Sequence, residues 1–226
     1  MAFENREEGG RRLAALLQRR RVEGPVVLGL PRGGVPVAFE VARLLAAPLD
    51  VLVVRKLGAP GNEEYGVGAV AEGGEVFFDA EAMWELGLRR AQLDDVLRRE
   101  RSELERRVGL YRGGRPPIPV AGRTAILVDD GIATGATARA AILAVRRRRP
   151  RRVVLAAPVV AREAADELRG EVDELVYVEA PEDFEAVGQW YRDFGQTTDE
   201  EVVRCLRRAA GCGAGRGAAR GCAPRA

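Results

Sequence analysis

Residues 126–137 read ILVDDGIATGAT. An apolar run ends in two adjacent carboxylates, Asp129 and Asp130, and passes at once into a turn of small residues before a helical pattern begins. Like charges about 4 Å apart repel by roughly 1–4 kcal/mol, depending on how wet the site is. A partner must offset that repulsion. A strand that feeds a glycine-containing turn into a helix aims backbone N–H groups and the positive end of the helix dipole at one spot, which makes a seat for an anion. Thr134 and Thr137 add hydroxyl donors. Carboxylates accept hydrogen bonds only, so the acids need another partner: a vicinal diol, or a divalent cation that relieves their repulsion.

Outward from this stretch the chain alternates short apolar runs with helical patterns. An amphipathic helix spans residues 4–21, with Leu13, Leu16 and Leu17 on one face. A strand VVLGL follows, then the turn Pro31-Arg32-Gly33-Gly34 and a helix over 36–45, where Pro36 suits the first turn. DVLVV (50–54) is the next strand, with Arg55 and Lys56 at its end. Residues 57–66 lack an apolar period and carry three glycines and a proline, which predicts a mobile loop. VGAVA and EVFF flank Glu72-Gly73-Gly74 as a hairpin. One or two helices fill 80–109, a loop 113–119, a strand 124–128 and a helix 136–149. RVVLAAPV is a strand, 162–169 a helix and ELVYV a strand. Thr198 and Glu201 form a capping box for a last helix ending near Ala210. The expected domain is 1–210, with a small hood or base-binding region at about 172–196, and the Gly/Ala/Arg tail 211–226 is expected to be disordered. The fold class is α/β: a mostly parallel twisted sheet flanked by helices, with a mobile loop or hairpin over the site. Ligands in such sheets bind beyond the carboxyl ends of the strands, where the loops 31–34, 55–66 and 129–137 lie.

Composition narrows the chemistry. The chain has 226 residues, 36 basic and 34 acidic, so an anion site must be local rather than a product of global charge. Histidine is absent, which removes Ser-His-Asp triads, Cys-His pairs and HExxH zinc sites. Cys205, Cys212 and Cys222 have no metal or disulfide spacing. The amino-terminal residues lack the apolar core of a signal peptide, and the longest apolar run, near 153–161, is about half a membrane span. A cytoplasmic protein is expected. The turn is not a Walker loop, because no lysine follows its glycine, and no dinucleotide fingerprint occurs.

A phosphate seat beside a diol clamp describes a ribose 5-phosphate. At these residues the chain resembles the type I phosphoribosyltransferases: ILVDDGIATGAT is similar to their motif for 5-phosphoribosyl 1-diphosphate (PRPP), and the likeness covers about residues 10–205. The resemblance implies that Asp129 and Asp130 hold the ribose hydroxyls and, through ribose or water, Mg²⁺. It implies that Ala133, Thr134, Gly135, Ala136 and Thr137 hold the 5-phosphate. It places pyrophosphate on Arg32, Gly33, Gly34, Arg55 and Lys56, and catalysis on Asp129, Asp130, Lys56 and Arg32. Residues 57–69 match a catalytic hood, in which Glu63, Glu64 and Tyr65 either meet metal or pyrophosphate or stand solvated. The implied reaction transfers ribose 5-phosphate from PRPP to a nitrogenous base or other small amine, with Mg²⁺ as cofactor and a homodimer as the default assembly.

Ala133 stands where enzymes for 6-oxopurines carry an aspartate, and the chain has no second lysine to read the exocyclic oxygen, so hypoxanthine and guanine are disfavoured. Ile132, Trp190 and Tyr191, with Phe194, either wall the base or belong to the core or an interface. The basic run from Arg146 to Arg152 is either a solvated helix end or an RNA patch. The alternative function is a PRPP-binding regulator without turnover that binds RNA there; neither reading needs a membrane.

Overall fold

The computed structural model describes residues 2–214. In chain order its elements are α1 (Arg6–Arg19), β1 (Pro25–Gly29), α2 (Gly34–Leu45), β2 (Leu49–Val51), β3 (Val54–Ala59), β4 (Asn62–Ala71), β5 (Val76–Phe78), α3 (Ala80–Glu85), α4 (Asp94–Arg112), β6 (Thr124–Val128), α5 (Ala136–Arg147), β7 (Arg152–Val159), α6 (Arg162–Leu168), β8 (Glu174–Glu179) and α7 (Asp199–Ala214). Single 3-10 turns occur at Arg90–Leu93 and Val187–Trp190. β2, β1, β6, β7 and β8 form a parallel sheet in that order.

A parallel sheet covered on both faces needs strands that are apolar at every position. β6 is buried throughout, and its residues divide by period two. Ile126 and Val128 join Val27, Val154 and residues of α1, α2 and α7 in one core cluster. Ala125 and Leu127 join Val26, Leu155 and residues of α5 and α6 in the other. Because β1 and β6 pair in register from Pro25 with Thr124 to Gly29 with Val128, the loops after them leave the sheet side by side. The Leu30 N–H donates to the Val128 carbonyl at 2.8 Å and extends that pairing by one bond. This register sets the candidate site.

The structure departs from the sequence reading at several places. The run 50–54 is not one strand: β2 ends at Val51, and Val54 begins β3 of a separate antiparallel sheet ordered β3-β4-β5. Residues 57–66 are not an irregular loop but most of a hairpin, with Leu57 opposite Gly68, Ala59 opposite Asn62, and a register shift around Gly58. The expected Glu72-Gly73-Gly74 hairpin is present between β4 and β5. The pattern over 80–109 resolves into α3, a 3-10 turn and α4, and α5 stops at Arg147, two residues early. The capping box holds: the Thr198 N–H donates to Glu201 Oε2 at 2.8 Å, and the Glu201 N–H to Thr198 Oγ1 at 3.2 Å. α7 runs on to Ala214 rather than ending near 210, and residues 215–226 of the expected tail, Cys222 among them, lie outside the described residues. No helix among the described residues is long and apolar enough to cross a membrane.

The small sheet is stapled to the large one by Arg112 at the end of α4. Its guanidinium donates to Asp50 at 3.1 Å and to the Val51 carbonyl at 2.7 Å, and it pairs with Glu72 beyond β4. Asp50 and Arg112 are among the buried polar residues.

Candidate active site

Asp129 and Asp130 leave β6 at its carboxyl end, half-buried. The Asp130 N–H donates to Asp129 Oδ1 at 2.9 Å. Burial, then the charge of Asp130, raises the Asp129 pKa well above the ordinary carboxylate value. The cation that offsets the pair is Arg6, at the start of α1: its Nε lies 2.7 Å from Asp130 Oδ2, with both side chains about seven-eighths buried. Arg6 also donates from Nη1 to the Gly195 carbonyl at 2.7 Å, and its Cζ lies 3.8 Å from the centre of the Phe194 ring. Sequence reasoning missed it. The unexplained repulsion called for a cation, but no spacing singles out Arg6 from 36 basic residues.

The turn after β1 closes on the same acids. A Cβ on Gly33 would lie 2.0 Å from Asp130 Oδ2, and one on Gly34 would lie 2.6 Å from the Val128 carbonyl oxygen and 2.8 Å from Asp129 Cα. Only glycine lets this loop pass so close to the end of β6. Arg32 is half-buried and makes no ion pair among the described residues.

The turn 131–135 is held from below. The Ile132 N–H donates to the Val159 carbonyl at 3.0 Å, and the Ile132 carbonyl accepts from Ala161 at 2.8 Å. Gly135 caps α5 with φ +77°, a left-handed conformation that suits glycine. Arg139, also unforeseen, donates from Nη1 to the Thr134 carbonyl at 3.0 Å while pairing with Glu171 at 2.8 Å and with Glu167. Among the described residues, the N–H groups of Ala133, Thr134, Gly135, Ala136 and Thr137 donate to no protein acceptor. Ala133 and Thr134 are exposed. Unpaired amides at the start of a twelve-residue helix are what an anion seat requires.

Ile132 and Tyr191 are corrected as base-wall residues. Ile132 is 3% exposed and Tyr191 2%, so neither offers a face to a ligand. The Tyr191 hydroxyl donates to the Asp130 carbonyl at 2.6 Å, and burial holds it protonated by raising its pKa. Phe194 stacks on Tyr191 with centroids 5.1 Å apart, and Arg6 covers it as well. Trp190 is half-buried, with an indole N–H that is buried without a hydrogen-bond partner among the described residues. Tyr191 and Phe194 brace Asp130. Val187 instead faces the site, close enough that a Cβ on Gly131 would meet its Cγ1 at 2.4 Å.

Residues of the β3–β4 hairpin meet α3 and α4. Arg55 pairs with Glu100 at 2.7 Å, and Arg99 with Glu63 at 3.0 Å. The Tyr65 hydroxyl donates to Glu85 at 2.7 Å. Lys56 lies exposed on β3 opposite Ala69, and Glu64 is on β4. Five residues of the basic run are engaged within the chain: Arg146 with the Glu171 carbonyl, Arg147 with Glu75, Arg148 with Glu72, Arg151 with Glu23 and Arg152 with Glu174. Four of these contacts are ion pairs.

A parallel sheet whose central strand ends in two acids and a capped anion turn, with a separate small sheet after β2, is the type I phosphoribosyltransferase arrangement. The chain belongs to the phosphoribosyl transferase domain family, whose profile matches residues 2–194. Two Mycobacterium tuberculosis relatives, from two strains and provisionally named phosphoribosyl transferases, are each 49% identical over 207 residues. That alignment covers 92% of this chain and 47% of theirs, so the chain spans about half the length of these relatives. A crystal structure of a Thermus thermophilus protein is 47% identical, with a TM-score of 0.78 over 92% of this chain and 99% of that one. The fold is also similar to that of an Aquifex aeolicus protein at 13% identity and a TM-score of 0.50 over 77% of this chain and 74% of that one.

Proposed function

We propose that the protein transfers ribose 5-phosphate from PRPP to a nitrogenous base or other small amine and releases pyrophosphate. The observation that carries this reading is the paired acid and anion turn at the end of β6: Asp129 and Asp130 followed by unpaired amides of residues 133–137. In this reading the amides and the Thr134 and Thr137 hydroxyls bind the 5-phosphate, and Asp129 and Asp130 accept hydrogen bonds from the ribose hydroxyls. The Pro31-Arg32-Gly33-Gly34 loop, with Lys56, receives the pyrophosphate. The acceptor nitrogen attacks C1 as the C1–O bond to pyrophosphate breaks, and the carboxylates stabilise the positive charge that develops on the sugar.

No cluster of three or more metal-ligating side chains occurs among the described residues. Magnesium does not need one, since it keeps waters and takes substrate oxygens as ligands. Asp129, which makes no ion pair among the described residues, fits such indirect contact, with Asp130 beside it. When bound, the ion neutralises the leaving pyrophosphate.

Pyrophosphate release from PRPP and Mg²⁺ tests the reaction against adenine, hypoxanthine, guanine, orotate and uracil. Acceptor-dependent release is expected, lowest for hypoxanthine and guanine because Ala133 supplies no carboxylate. Tight PRPP binding without release for any acceptor overturns turnover in favour of a sensor. Release independent of acceptor indicates a hydrolase.

A second measurement tests the loop. Gly33→Ala places a methyl group against Asp130 Oδ2 and is expected to weaken PRPP binding roughly tenfold by displacing that carboxylate. Calorimetric titration of the folded variant checks this.

A further inference from the structure

We infer that Arg6 is a positioning residue of the sugar clamp: it fixes the Asp130 carboxylate and fastens it to residues 191–195. The inference rests on the PRPP reading above and adds a residue that the 126–137 motif does not contain. Arg6 and Asp130 are 124 positions apart, yet their side chains are 13% and 14% exposed and meet at 2.7 Å. This is not a surface pair of negligible worth. A largely buried, hydrogen-bonded pair is sensitive to loss of either member, because the survivor is left desolvated and unpaired.

The contacts close a ring around one residue. Arg6 Nε holds Asp130 Oδ2, and Arg6 Nη1 holds the Gly195 carbonyl. The guanidinium lies over Phe194, Phe194 stacks on Tyr191, and the Tyr191 hydroxyl returns to the Asp130 carbonyl. One cluster therefore grips both the side chain and the main chain of Asp130. Its Oδ2 is committed to Arg6, and Oδ1 remains to accept a sugar hydroxyl from a fixed direction. A carboxylate oriented in advance binds its diol without losing rotamer freedom at that moment. The two bonds of Arg6 diverge, which a planar fork supplies and a lysine, as a point charge, does not.

The test compares wild type, Arg6→Met and Arg6→Lys, titrated with PRPP and Mg²⁺ by calorimetry, with thermal melts to establish folding. Arg6→Met is expected to weaken PRPP binding roughly tenfold, and Arg6→Lys to recover part of that loss through its charge. A purely structural residue would lower the melting temperature and leave the affinity of the folded protein unchanged. Affinity within twofold of wild type for folded Arg6→Met overturns the inference, and so does tighter binding, which would make Arg6 a plug that competes with the sugar. If Arg6→Met does not fold, Arg6→Lys decides: weaker binding supports the inference and unchanged binding overturns it. Wild-type protein that binds no PRPP removes the proposed function and this inference with it. Wild-type binding with unaltered variants removes the inference alone.

Discussion

Joint replacement of the acids, Asp129→Asn with Asp130→Asn, is expected to lower kcat/KM for PRPP by roughly 10²–10³-fold, the scale on which a preorganised charged contact acts on a transition state. The shape changes little and the charge is removed, so steady-state kinetics on the folded variant isolates the electrostatic part. The single changes should move stability in opposite directions. Folding raises the pKa of Asp129, through burial first and then the neighbouring charge. A carboxyl raised in this way is neutral in both states below its unfolded value near 3.8, and the folded state loses stability as pH climbs through its higher folded value. Well above that unfolded value the native protein therefore carries the cost of a carboxyl whose ionisation the fold opposes, and Asp129→Asn removes it. Its amide oxygen can still accept the Asp130 N–H. Asp129→Asn should melt higher than wild type at pH 7–8, by about 2–4 °C for each kcal/mol gained, with the gain vanishing toward pH 4. Asp130→Asn should melt lower, because it strips Arg6 of its partner in a largely buried place. Melting curves of the two single variants across pH check the signs. A destabilised Asp129→Asn at pH 8 would refute the account of the acid pair.

Arg112→Met is expected to cost about 3–5 kcal/mol of stability, the range for breaking a buried ion pair from one side. Methionine replaces the apolar stem and removes every donor. Among the described residues, Asp50 then keeps only the Val51 and Ile118 N–H groups, at 2.8 and 2.9 Å, while Glu72 keeps Arg148 at 3.2 Å. Asp50 and Val51 belong to the large sheet and Glu72 follows the small one, so this variant also unties the small sheet from the parallel core. Urea denaturation measures the loss, and a fall in melting temperature of roughly 6–20 °C should accompany it. A loss under about 1 kcal/mol would show that the sheets are joined by other contacts.

The carriers of period and punctuation were legible in the chain itself. β6 is buried at every position and apolar from Ala125 to Val128 because it is covered on both faces, and Thr198 with Glu201 caps a helix through bonds between residues three apart. The hairpin of β3 and β4 was not legible. Its glycines and charges look like an irregular loop, and its register comes from backbone hydrogen bonds across the ribbon, which no side-chain period reports.

Sequence alone determined the α/β class, the placement of Asp129 and Asp130 at a strand end, and the glycine turn that opens α5. These are local matters, decided by residues within a few positions of one another through sterics, burial period and hydrogen bonding. Only the tertiary structure decided that Arg6 neutralises Asp130, that Tyr191 and Phe194 brace it, and that Arg112 joins the two sheets. Those pairings span tens to more than a hundred positions, and a charge or a ring carries no local mark of which distant partner the packing will bring to it.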